Sequence, residues 1–119
     1  MDIRPTVAVR TRYQARPGRR VIVVTDLADL RGPAHGTVTL PLWLYWSGAS
    51  PEFDLDEPFM RRWLYEIVLR EAGSAEDLTS YLDAATLINL WPQLYLTRGV
   101  RQAWEELHPA LRTASAASA

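Results

Sequence analysis

The hydrophobic pattern of this chain changes period once, and that change confines it to folds in which strands come first and helices follow. From Thr6 to Tyr13 the period is two, with Val7, Val9, Thr11 and Tyr13 on one face and Thr6, Ala8, Arg10 and Arg12 on the other. Pro17-Gly18 is a turn signal, because proline presets the first turn dihedral and glycine accepts a positive one. A hairpin into Val21–Thr25 follows, and that β-branched run fits a strand buried on both faces. Asp26–Gly36 reads as one helical turn and a loop. Thr37–Trp46 then resumes the alternation, with Val38, Leu40, Leu42, Leu44 and Trp46 facing the core and Trp43 and Tyr45 on the outer face. Pro41 cannot donate to a ladder, which places this strand at an edge or requires a bulge.

The period becomes 3.6 after the Gly48, Ser50, Pro51 connector. Asp56 is a candidate N-cap with Pro58 in the first turn, and Met60, Trp63, Leu64, Ile67, Val68 and Ala72 form one stripe. Ser74 is placed to cap a short helix through Tyr81, and Asp83 the next, which Pro92 stops. Thr97 caps a last helix striped by Val100, Ala103, Trp104 and Leu107 and ended by Pro109. The fold class expected is α+β: a small antiparallel sheet of three or four strands from the N-terminal half, packed by about four helices from the C-terminal half. Residues 1–112 are expected to form a single domain, and Thr113–Ala119, small and polar with nothing to bury, a disordered tail.

A length of 119 residues is enough to bury a core without staples, and the chain has no cysteine with which to make any. That absence removes disulfides, thiolate metal sites and cysteine nucleophiles together, and fits a reducing cytoplasm. Six arginines in the first twenty residues leave no room for the apolar stretch of a secretory leader, and no apolar run is long enough to span a bilayer. The expected localisation is cytoplasmic, without membrane contact. All thirteen basic residues are arginine, which reads as the codon usage of a GC-rich genome.

No enzyme template fits. His35 and His108 lie at neither metal nor triad spacing, and the acidic run Glu52, Asp54, Asp56, Glu57 lacks the glycine and terminal glutamate of a calcium loop. Neither a phosphate-binding glycine loop nor a nucleophile elbow occurs. The expectation is a protein with no catalytic, cofactor-binding or metal-binding residues. A helix-turn-helix reading, with Arg98, Arg101 and Gln102 in a groove, is opposed by Glu105 and Glu106 on the same helix.

What remains is surface. Charge is uneven: residues 1–20 hold six arginines against one aspartate, whereas residues 21–57 hold one arginine against six acids. An arginine-rich hairpin is either a solvated strand face or a contact surface for an acidic protein or a nucleic acid. Five tryptophans and five tyrosines are many for so short a chain, and Trp, Tyr and Arg are enriched at binding hot spots. Trp63, Trp91 and Trp104 sit on helical stripes and read as core, while Trp43, Tyr45 and Tyr95 suit core or contact surface equally. The candidate partner-binding residues are Arg10, Arg12, Arg16, Arg19, Arg20, Trp43 and Tyr45.

Three stretches carry a resemblance: GPAHGTVTLPLWLYWS at 32–47, FDLDEPFMRRWLYEIVLREAG at 53–73, and, within Asp83–Leu111, LINLWPQLYLTRGVRQAWEELHPAL. Their motifs are Trp91-Pro92, Val100-Arg101 and Ala103-Trp104-Glu105, and the likeness covers most of residues 20–112. The sequence resembles a group of small actinobacterial proteins encoded beside nucleotidyltransferase-like toxins of the abortive-infection type. The resemblance implies an antitoxin or accessory half of a two-gene toxin-antitoxin module, which masks its toxin or represses the shared promoter. The function expected is therefore a noncatalytic protein-binding component whose partner is encoded by an adjacent gene. The alternative is a transcriptional autoregulator that binds DNA through the arginine-rich strands, and an edge strand leaves homodimerisation open.

Overall fold

The computed structural model describes residues 6–46 and 52–117. The first element pair is the expected hairpin, β1 (Ala8–Arg16) against β2 (Arg19–Val24), turned at Gly18 with φ +82°. Ala8 lies opposite Val24 and Arg10 opposite Ile22, but Gln14 lies opposite Arg20, so β1 carries extra residues between. This irregularity breaks the alternation read from the sequence. Val7 and Val9 are exposed, whereas Tyr13 is half-buried and Ala15 buried. Val21–Val24 are buried without interruption, as a β-branched run covered on both faces should be.

Asp26 caps a single 3-10 turn, Leu27–Asp29, by accepting from the Ala28 N–H at 2.9 Å. The following backbone is pinned to the C-terminal half, with Gly32 N–H donating to Leu82 O at 2.8 Å and Ala84 N–H to Leu30 O at 3.2 Å. The next strand, β3 (Thr37–Thr39), is far shorter than the ten residues expected. Pro41 explains the difference: it opens a helical turn, and the Leu44 and Tyr45 N–H groups both donate to its carbonyl. Leu40 and Leu44 are thereby buried at helical spacing, and Leu42 and Trp46 face outward, not inward. β3 pairs with β4 (Glu52–Asp54), Val38 opposite Phe53, so the acidic connector contains a strand. The architecture is α+β, and the described residues form two separate two-stranded antiparallel sheets where one sheet of three or four strands is expected.

Among the described residues five helices follow: α1 (Pro58–Glu71), α2 (Ala75–Tyr81), α3 (Ala84–Leu90), α4 (Arg98–Leu107) and α5 (Pro109–Ala117). The cap of α1 is Glu57, whose carboxylate accepts from the Phe59 and Met60 N–H groups. Asp56, one residue earlier, is drawn away to His35 Nδ1 at 2.9 Å and Gly36 N–H at 3.3 Å, contacts that lower its pKa, the histidine first. Ser74 and Asp83 cap α2 and α3 as expected. Pro92 ends α3 in a 3-10 turn, Trp91–Gln93. Pro109 both ends α4 and starts α5, since its missing N–H costs nothing at a first helical position. Residues 113–117, expected to be disordered, are helical because Leu111 and Ala114 reach the core and the Ser115 hydroxyl donates to Glu105; residues 118 and 119 lie outside the described residues. Buried side chains from both sheets and all five helices form one apolar cluster, with Trp91, Trp104, Tyr65 and Phe53 its largest members. No helix among the described residues is long and apolar enough to cross a membrane.

Candidate partner-binding surface

The hairpin holds the five arginines in very different states. Arg16 and Arg19 flank its turn and both reach the end of α1: Arg16 Nη1 pairs with Glu71 Oε2 at 3.1 Å, and Arg19 donates to the Glu71 carbonyl. A cation there complements the carbonyl end of the helix dipole. Arg20 Nε donates to Thr11 O at 2.6 Å. Arg12 donates to the Tyr13 hydroxyl at 2.8 Å, lies over that ring at 4.9 Å, and is 3.5 Å from Glu106 of α4. Among the described residues Arg10 makes no hydrogen bond or ion pair. Arg12, Arg16 and Arg19 thus help fasten the hairpin to α1 and α4, although of the five arginines only Arg19 is half-buried and Arg10, Arg12, Arg16 and Arg20 are exposed.

Trp43 and Tyr45 part company. Tyr45 packs inward, edge-on to Trp63 at 5.6 Å and to Phe53 at 6.0 Å, because a helical turn points residues two apart in divergent directions. It belongs to the aromatic core. Trp43 is 70% exposed, yet its indole N–H donates to Asp77 Oδ1 at 2.9 Å, which holds the ring over the start of α2. Leu42, 58% exposed, is on the same turn, and Trp46, 76% exposed, follows two residues after its end. Three bulky apolar side chains in five residues are thus in water.

A groove of about 560 Å³ opens beside this turn, between Trp43, Arg19 at the hairpin end, and Glu76, Asp77 and Tyr81 of α2. Asp77 itself is only 8% exposed. Its second oxygen accepts from the Gly73 N–H at 3.0 Å, and its own N–H donates to the Ser74 cap. Burial raises the Tyr81 pKa, and the Asp77 and Glu76 charges add to the shift. Sequence reasoning missed Leu42, Trp46 and Asp77. Pro41 was the available signal, because a proline that opens a turn turns an alternating run into a helical one.

Away from this turn, Phe59 is 60% and Tyr95 89% exposed, and the Tyr95 N–H donates to Glu66 on α1 at 2.8 Å. Arg101, a groove reader in a helix-turn-helix scheme, is used internally: it donates to Leu94 O at 2.6 Å and lies 5.0 Å over the Trp91 ring. Glu105 on the same helix accepts from Trp91 Nε1 at 2.8 Å and stands 3.7 Å from Arg101. Among the described residues no group of three or more His, Cys, Asp or Glu side chains is placed to hold a metal ion.

His108 is buried, with Nε2 2.8 Å from Val24 O. A carbonyl only accepts, so Nε2 carries the proton. Desolvation lowers the His108 pKa below 6.5, outweighing the Val24 carbonyl and the Asp26 charge, which raise it. The unfolded chain therefore binds a proton at higher pH than the native one, and stability is complete above about pH 6.5 and falls as pH drops through 6.5 towards the native value. Urea denaturation between pH 7.5 and 5.5 checks this: the midpoint should fall with pH, and His108→Gln should flatten the slope. A midpoint rising on acidification would contradict it.

Compared with protein-family models, curated proteins and solved structures, the chain matches none.

Proposed function

We propose that this chain is a noncatalytic, cytoplasmic protein-binding component, the antitoxin-like or accessory half of a two-protein module whose partner is a nucleotidyltransferase-type toxin encoded by an adjacent gene. The observation that carries the protein-binding reading is the Leu42, Trp43, Trp46 segment, whose apolar side chains are mostly in water while Asp77 fixes the central indole. A fixed aromatic anchor loses little entropy on binding, which is what a hot spot requires. The module assignment rests on the sequence resemblance. The autoregulator alternative has Arg10, Arg12 and Arg20 for phosphate contacts, but Arg16 and Arg19 are engaged by Glu71.

Co-expression with the neighbouring reading frame should yield a co-purifying complex that buries more than roughly 1,000 Å². The Leu42→Ala, Trp43→Ala double variant should weaken it about 30-fold or more, corresponding to the ~2 kcal/mol of a hot spot. Separate elution of the two wild-type proteins at micromolar concentration refutes the proposal. A salt-sensitive gel shift of the upstream DNA, with no protein complex, would favour the autoregulator.

A further inference from the structure

Asp77 is a charged side chain more than nine-tenths buried, and among the described residues no cation stands in ion-pair contact with it. Among the described residues its carboxylate takes two N–H groups, Oδ1 from Trp43 and Oδ2 from Gly73. Two neutral donors offset only part of the charge of a buried carboxylate. The surroundings add to the deficit: Glu76 lies on the same groove, and Tyr81 feels both acids. Among the described residues Arg19 is the one cation lining the groove, and its guanidinium is turned to the carbonyl end of α1. The groove therefore combines net negative charge with the largely bare indole of Trp43 and the ring of Tyr81.

We infer that this groove receives a basic side chain, an arginine or lysine, from the partner polypeptide. A guanidinium or ammonium there would meet the charges of Asp77 and Glu76 and stack on an aromatic face, two interactions that act on the same cation. Charge complementarity selects the occupant: an acidic or phosphate group would face two carboxylates, and a purely apolar one would leave Asp77 without a counter-charge. The inference deepens the protein-binding reading, because it states what the partner must present beside the Leu42, Trp43, Trp46 anchor. Its site is defined on this chain alone, so it can be tested without the partner.

The test uses agmatine, a guanidinium probe without a carboxylate, added to the full-length protein while the Trp43 indole N–H resonance is followed by NMR. Loss of that resonance in Trp43→Phe assigns it. A saturable shift in the millimolar range at low salt is expected. Glu76→Gln, a change at an exposed position, should weaken it about tenfold, and Asp77→Asn should abolish it, with helical circular dichroism retained in both. The inference is overturned if agmatine produces no saturable shift, if both carboxylate variants respond as the wild type does, or if inorganic phosphate shifts the resonance as strongly. It is also overturned in favour of a second copy of this chain if the resonance moves with protein concentration alone and light scattering reports a dimer that Asp77→Asn dissolves. A null result with agmatine beside an intact protein complex would reject this groove while leaving the protein-binding reading standing.

Discussion

Gly99→Ala is expected to destabilise the protein by about 3 kcal/mol, although alanine is the better helix former at that position by about 1 kcal/mol. Gly99 is the second residue of α4, where the helix crosses β1 so closely that an added Cβ would overlap the Gln14 carbonyl oxygen and lie 3.0 Å from its carbonyl carbon. That neighbour is backbone in a strand and cannot rotate away. Relief requires the first turn of α4 to lift off the hairpin, which would loosen Val100, Ala103 and Trp104, the fully buried stripe by which α4 covers β1 and β2. Helix propensity and close packing thus predict opposite signs, and a urea midpoint decides between them. A variant as stable as the wild type, or more so, would mean that α4 does not approach β1 as closely as described.

Local signals were the legible part of this fold. Pro17-Gly18 announced the hairpin turn, Ser74 and Asp83 the starts of α2 and α3, and Pro92 the end of α3, because each acts through its own backbone dihedrals or a hydrogen bond to a residue two or three away. The errors arose where a distant partner decided. Asp56 has the chemistry of a cap, but His35 and Gly36 claim its carboxylate and leave the capping to Glu57. Small polar residues after Arg112 carry no apolar periodicity, yet Glu105 gives Ser115 a partner and the last helix continues. Two strand pairs in place of one sheet follow from the same cause, since which strands meet is a long-range choice that a period of two does not encode.

The candidate surface was legible in residue type and not in arrangement. Arginine and tryptophan enrichment singled out Arg19 and Trp43, and both line the groove beside α2. Composition could not say that Arg16 and Arg19 would be tied to Glu71, or that Tyr45 would be half-buried against the core while Trp43 two residues away would be mostly exposed. Asp77 carried a capping signal, standing three residues after Ser74, and its carboxylate does accept from the Gly73 N–H, but that spacing does not encode its burial. Its burial, with no cation in ion-pair contact among the described residues, is a property of the assembled fold.

The two largest buried side chains allow a test of how much an unsatisfied donor costs in this core. Trp91 and Trp104 are both fully buried, but the Trp91 N–H donates to Glu105 at 2.8 Å whereas Trp104 Nε1 has no hydrogen-bond partner among the described residues. Phenylalanine at either position removes a similar volume, and with it a similar transfer and cavity contribution. At 91 the change also deletes a hydrogen bond to a charged acceptor and shrinks the ring under the Arg101 guanidinium. At 104 it removes a buried donor that gains nothing from its surroundings, which offsets part of the cavity cost. Trp91→Phe should therefore cost about 3 kcal/mol and Trp104→Phe about 1 kcal/mol. Urea denaturation of the two variants measures the difference directly. Equal costs, or a larger one at 104, would show that the Trp104 indole N–H is satisfied in solution and that volume alone governs both positions.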